Sequence, residues 1–121
     1  VSTKKFSLIQ QLKSFRYAFN GLKILFFEEH NARIHFVVAV VVVLLSFLYN
    51  LNAYEWVAII LVISGVFIVE IINTAIENVA DFVHPQYHPQ IGKVKDIAAS
   101  AVLISAIAAV MVGLIIFVPK L

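Results

Sequence analysis

Cysteine is absent from the sequence, which excludes disulfides, thiolate nucleophiles and thiolate metal sites. Charge is scarce: Asp, Glu, Lys and Arg make up only 13% of the 121 residues, about half the share usual in a soluble domain. The four glycines, Gly21, Gly65, Gly92 and Gly113, are isolated, so there is no P-loop and no dinucleotide fingerprint. No serine sits in a nucleophile elbow. His84 and His88 are separated by Pro85, and His30 and His35 are five apart, so neither pair suits a shared zinc ion.

What the chain has instead is apolar surface. Hydrophobic residues make up 62% of it, and mean hydropathy is +0.98. A water-soluble fold of this size could not hide that surface, so the bilayer is the expected solvent. Six of the nine basic residues lie before residue 34. That clustering suits anionic lipid or phosphate, and nothing suggests nucleic acid as a partner. Lys4 and Lys5 precede a mixed stretch with no clean apolar core or small-residue cleavage site, so a signal peptide is not expected there.

The expected fold is all-α, a single domain over residues 1–121. Leu8, Leu12, Phe15, Phe19, Leu22 and Phe26 recur at steps of four and three, while Lys13, Arg16, Asn20 and Lys23 lie off that stripe. This pattern predicts an amphipathic helix over residues 6–29 lying in the membrane interface. The first spanning helix is expected at 34–51, within the valine-rich run. Tyr49, Tyr54 and Trp56 surround a polar turn at 50–54, as an interfacial aromatic belt would. A second span is expected over 55–83. Two prolines and Gly92 mark 84–92 as a loop, and a third span is expected over 93–118. Lys93 and Lys95 follow that loop and the 50–54 turn has no basic residue. The positive-inside rule then places the N-terminus and the 82–96 segment in the cytoplasm.

The second span carries the most informative pattern. Glu70, Asn73, Thr74, Glu77 and Asp81 fall at offsets of 0, 3, 4, 7 and 11, within an arc of about 100° on a helix. An ionised carboxylate within the hydrocarbon layer costs at least ~2.5 kcal/mol and marks a functional site by default. The deeper Glu70 can take a proton, and the outer Glu77 can hold a divalent cation. Glu28 and Glu29 end the surface helix, and Lys95 and Asp96 open the third span at the same face. Carboxylates from two helices plus a lysine suit Mg²⁺ and polyphosphate. Two function classes fit: a membrane enzyme phosphorylating a lipid head group, or an oligomeric channel or proton-coupled carrier. A channel needs polar residues through the outer half of a span, and residues 56–69 and 100–118 have almost none. The enzyme is therefore the favoured reading.

The run Glu70-Ile71-Ile72-Asn73-Thr74-Ala75-Ile76-Glu77, with Asp81 four residues on, resembles the signature of the prokaryotic diacylglycerol kinase and undecaprenol kinase family. Lys95-Asp96 before the small-residue run Ala98-Ala99-Ser100-Ala101 is similar too, as are Tyr17, Gly21 and Glu29. The resemblance covers essentially the whole chain. It implies a homotrimer in the bacterial inner membrane with active sites shared between subunits, using MgATP to phosphorylate a lipid alcohol. It also implies Glu70 as general base and Glu29 and Glu77 as Mg²⁺ ligands that meet ATP, with Asn73 beside them. Tyr17, Gln86, Tyr87, His88, Lys95 and Asp96 resemble nucleotide contacts, and Ala99 and Ser100 fall with Glu70 near the lipid. Gln10 stands where a basic nucleotide contact is usual, and Ala99 where the diacylglycerol kinase branch has serine. Arg33-Ile34-His35 is similar to the polyprenol kinase branch. Undecaprenol is therefore favoured as acceptor, with diacylglycerol the alternative.

Overall fold

The computed structural model describes residues 7–121. Lys4, Lys5 and Phe6, the first residue of the expected surface helix, lie outside the described residues. The described chain is four helices: α1 (Leu8–Glu28), α2 (His30–Leu48), α3 (Ala53–Val83) and α4 (Pro89–Phe117), ending in a single 3₁₀ turn, Val118–Lys120. Three of them, α2, α3 and the α4 segment to Lys120, are long and apolar enough to cross a membrane.

Each helix starts and stops for local reasons. Ser7 caps α1, its hydroxyl accepting from the Gln10 amide at 3.3 Å. Along α1 the stripe residues Leu8, Leu12, Phe15 and Phe19 are exposed, whereas Leu25 near its end is buried. Only Glu29 separates α1 from α2, in an extended conformation with φ −106° and ψ 110°. The sequence suggested a break of several residues here. The break is one residue long because Arg33 closes it. Its guanidinium donates to the carbonyls of Phe26 and Phe27, both at 2.7 Å. Those are end-of-helix carbonyls with no partner inside α1, so the first turn of α2 caps the last turn of α1.

One face of α2 is built from Ala32, His35, Ala39, Val42 and Ser46, spaced three, four, three and four apart, all buried or half-buried, with Val43 and Leu45 half-buried beside it. Ala32 and Ser46 are fully covered, and the Ser46 hydroxyl bonds back to the Val42 carbonyl at 2.7 Å. Small residues on that face let α2 approach α3. Phe36, Val37, Val40, Val41 and Leu44 point outward, as lipid-facing positions would.

After α2 the chain turns through Asn50, whose φ of 51° is left-handed and suits asparagine. Asn52 and Glu55 then form a capping box that starts α3, at 2.9 and 3.0 Å. At 31 residues α3 is about 46 Å long at ~1.5 Å per residue. The hydrocarbon layer is only about 30 Å thick, so roughly a third of α3 overhangs it. α4 begins at Pro89 rather than 93. Proline is well suited to the first turn of a helix, and His88 caps it, Nδ1 accepting from the Gln90 amide at 3.1 Å. The loop therefore shortens to five residues, and α3 and α4 form the tightest pairing in the fold.

The far end of the bundle from the polar row is closed by Leu51, Ile59 and Ile116, with Tyr49, Trp56 and Phe117 packed around them. Lys120 pairs with Glu55 at 3.2 Å, tying the end of α4 to the start of α3.

Candidate active site

The polar row sits on the second half of α3 and is graded by burial. Glu70 is 1% exposed, Thr74 5% and Asn73 8%. Glu77 is half-buried and Asp81 is exposed. Helical periodicity alone puts these five on one face. What buries the first three is the corner between α1 and α2, where Leu25 and Ala32 are covered. Phe26 packs against Phe36 and Phe67 at centroid distances of 5.5 and 6.3 Å, locking that corner onto α3.

Glu29 is carried at the corner, where it faces Glu77. Its carboxyl is pushed up to about 7, chiefly by desolvation and then by the neighbouring charge of Glu77, with Glu70 and Glu28 adding to it. Asn73 Nδ2 donates to Glu77 Oε1 at 3.2 Å, holding that carboxylate from one turn below. Asn78 ties the other side, donating to Glu28 Oε2 at 3.1 Å and to the Thr74 carbonyl at 2.9 Å. Glu28 and Asn78 were not expected to act together, and nothing in their sequence positions, fifty apart, signals it.

No cluster of three or more His, Asp or Glu side chains able to hold a metal occurs among the described residues. The Glu29–Glu77 pair nevertheless fits Mg²⁺, which takes one or two carboxylates and completes its shell with water and phosphate oxygens. Two carboxylates facing each other, one of them raised by desolvation and by the other's charge, are the electrostatic situation a cation relieves. Glu70 Oε1, Asn73 Oδ1 and Thr74 Oγ1 are buried acceptors without a hydrogen-bond partner. His35 Nε2 approaches Glu70 Oε1 at 3.4 Å, near enough to pair electrostatically but not aligned as a hydrogen bond.

The remaining sequence-predicted residues lie at the exposed end of the row or off it. Lys95 is ion-paired with Asp81 at 2.5 Å, joining α4 to the exposed end of the row. Asp96 is exposed. Tyr17 is 70% exposed and lines a hollow of about 550 Å³ on α1 with Lys13, Arg16 and Asn20. Gln86, Tyr87 and His88 lie in the α3–α4 loop. There the Tyr87 ring covers Gly92, where an added Cβ would come within 3.0 Å of it. Ala99 and Ser100 are exposed on α4, and the Ser100 hydroxyl is taken up by the Ile97 carbonyl at 2.6 Å. One chain thus brings together Glu29, Glu70, Asn73 and Glu77, with Lys95 within reach of the Glu77 charge, while Tyr17, Asp96, Ala99 and Ser100 are exposed. His35 is the member that sequence reasoning missed. The signal was available in the three-and-four spacing of Ala32, His35, Ala39, Val42 and Ser46.

Comparison with known proteins adds to this geometry. The model of the prokaryotic diacylglycerol kinase family matches residues 16–117. An undecaprenol kinase of Bacillus subtilis is 39% identical over 109 residues, covering 90% of this chain and 89% of that protein. A diacylglycerol kinase of Synechocystis sp. is 40% identical over 111 residues, 91% of this chain and 63% of that longer protein. The diacylglycerol kinase of Escherichia coli K12 is 34% identical over 100 residues, 83% of this chain and 82% of its own length.

Proposed function

From the premise that this chain belongs to the prokaryotic diacylglycerol kinase family, and so is a lipid kinase, we propose that it transfers the γ-phosphate of MgATP to the hydroxyl of undecaprenol in preference to diacylglycerol. The observation that carries the reading is the depth order of the carboxylates. Glu70 is buried, and the Glu29–Glu77 pair lies two helical turns along α3, about 10 Å away at ~1.5 Å per residue. A lipid hydroxyl held at the membrane boundary meets Glu70, while a polyphosphate arriving from water meets the outer pair.

Phosphoryl transfer asks mostly for positioning and charge neutralisation. Glu70 accepts the proton of the lipid hydroxyl as that oxygen attacks the γ-phosphorus. Glu29 and Glu77 would hold Mg²⁺, with Asn73 fixing the Glu77 carboxylate. When bound, the metal neutralises phosphate charge. Tyr17, Gln86, Tyr87, His88, Lys95 and Asp96 would contact the nucleotide. Lys95 stands beside Asp81 at the exposed end of the row, where the outer phosphates would lie. Ala99 and Ser100 would face the lipid.

Tyr17 on α1 and Asp96, Ala99 and Ser100 on α4 are exposed and stand off the buried row, which supports a homotrimer whose sites are shared between subunits. The N-terminus and the 82–96 segment would face the cytoplasm of a bacterial inner membrane. Arg33-Ile34-His35 and Ala99 favour undecaprenol, as does the likeness to a protein of that name. Purified protein in lipid vesicles, given labelled ATP, Mg²⁺ and both alcohols side by side, tests this. Faster labelling of undecaprenol is expected. Preferential labelling of diacylglycerol would reverse the acceptor assignment, and no labelled lipid from either would sink the active-site reading.

A further inference from the structure

His35 is the one titratable residue on the face that α2 turns toward α3, and the helix period puts it there between Ala32 and Ala39. Its Nε2 lies 3.4 Å from Oε1 of Glu70, an atom with no hydrogen-bond partner. The two side chains differ sharply in access: 26% of His35 is exposed but only 2% of Glu70. His35 also stands at the head of a cavity of about 280 Å³ between α2, α3 and α4, whose other lining residues, such as Val38, Ile59, Val66 and Val110, are apolar. A buried base that gains a proton in every turnover must lose it before the next. Within this chain the neighbouring group able to take it is His35.

We propose that His35 is the positioning residue and proton outlet of Glu70, an inference that rests on Glu70 being the base. In the step, the lipid O–H bond breaks as the new O–P bond forms, and the P–O bond to ADP breaks with the electron pair leaving on the ADP oxygen. The lipid proton goes to the Glu70 carboxylate and from there to His35 Nε2. The imidazolium then releases its Nδ1 proton to water, and exchange with water restores the starting tautomer. An imidazole that is already protonated cannot accept, so turnover falls on the acid side.

The charged groups around the pair leave this role to His35. Glu77 faces Glu70 from α3, and Glu29 faces it from the corner, both being carboxylates that the proposed cation occupies. Arg33, on the same helix as His35, is turned to the Phe26 and Phe27 carbonyls. Glu28 of α1 is held by Asn78. On α4, Lys95 is paired with Asp81 and Asp96 is exposed, and the α4 residues lining the cavity are Ala109, Val110, Gly113 and Leu114.

The test is the pH dependence of kcat and KM at saturating Mg²⁺, so that metal loading does not enter. It uses purified full-length protein in lipid vesicles, for the parent, His35→Gln, His35→Ala and Glu70→Gln. Both His35 variants are expected to lower kcat by about 10² with KM for ATP unchanged, and to displace the acid-side fall, which then reflects Glu70 alone. Added imidazole is expected to restore part of the His35→Ala rate and none of the Glu70→Gln rate. Parent-like kcat and pH profile in His35→Gln, beside an inert Glu70→Gln, would overturn the His35 role alone. A lowered kcat with the acid-side fall intact and no imidazole rescue would do the same, assigning His35 to packing. Full turnover in Glu70→Gln would remove the base, and this inference with it. If His35→Ala does not fold, His35→Gln, which keeps size and an N–H donor, decides by its pH profile.

Discussion

Glu29 and Glu70 share a chemical group, and their surroundings separate them. Glu29 sits outside the spanning helices with Glu77 against it, and its carboxyl is held up to about 7 against an ordinary 4.5. Between those two values the folded chain binds more protons than the unfolded one, so without metal this group lowers stability as pH rises from about 4.5 to about 7. Mg²⁺ held there would compete with that proton, since a metal binds the ionised carboxylate. Apparent Mg²⁺ affinity is therefore expected to rise as pH passes upward through about 7, and Glu29→Gln to weaken activation by Mg²⁺ and flatten that trend. Mg²⁺ activation curves at several pH values measure both. Glu70→Gln is expected to lower turnover by about 10²–10⁴ while nucleotide binding persists, as read by titration with a non-hydrolysable ATP analogue. The α3 row was legible in the sequence because one helix's period fixes which of its residues share a face. The pairing of His35 with Glu70 was not, because it depends on how two helices meet.

At the scale of elements, helix lengths were readable and junctions were not. A basic amphipathic segment and three apolar runs declare themselves by composition. The α1–α2 junction has neither glycine nor proline to mark it; Arg33 defines it by reaching back across the corner. Pro89 read as a loop residue, whereas it is the first residue of α4, a position where its missing N–H costs nothing. Replacing Arg33 by methionine keeps the side chain's bulk and removes both hydrogen bonds. The expected loss is roughly 1–2 kcal/mol, toward the low end for charged hydrogen bonds because the site is exposed. It is read as a lowered midpoint of thermal unfolding in detergent. The same variant is expected to need more Mg²⁺, because Glu29 is held in place by the corner that Arg33 closes.

For the whole molecule, the described chain is a thin assembly whose helices leave much of their apolar length uncovered. In lipid that surface is no liability, so apolar exposure alone does not require a partner. The proposed sharing of sites rests instead on the exposed contacts that stand off the buried row, Tyr17 on α1 and Asp96 on α4. If sites are shared in a trimer, an inert Glu70→Gln subunit mixed with an inert Glu77→Gln subunit recovers activity when the two residues come from different chains. No recovery is expected when both come from the same chain. Their common place on α3 predicts the second outcome for this pair. Recovery is expected instead for Glu70→Gln mixed with a variant of an α4 contact, such as Asp96→Asn, and turnover of mixed vesicles distinguishes the two.

The single extended residue at the corner has a further consequence. Two helices joined through one residue are locked in rotational phase. Inserting or deleting one residue between Leu25 and Arg33 would turn α1 by about 100° relative to α2. Leu25, the residue that α1 buries, would then swing out of its seat, and the carbonyls that Arg33 reaches would rotate away. The corner can therefore accept changes of side chain far more readily than any change of length, and chain length there acts as the gear that meshes α1 with the first span.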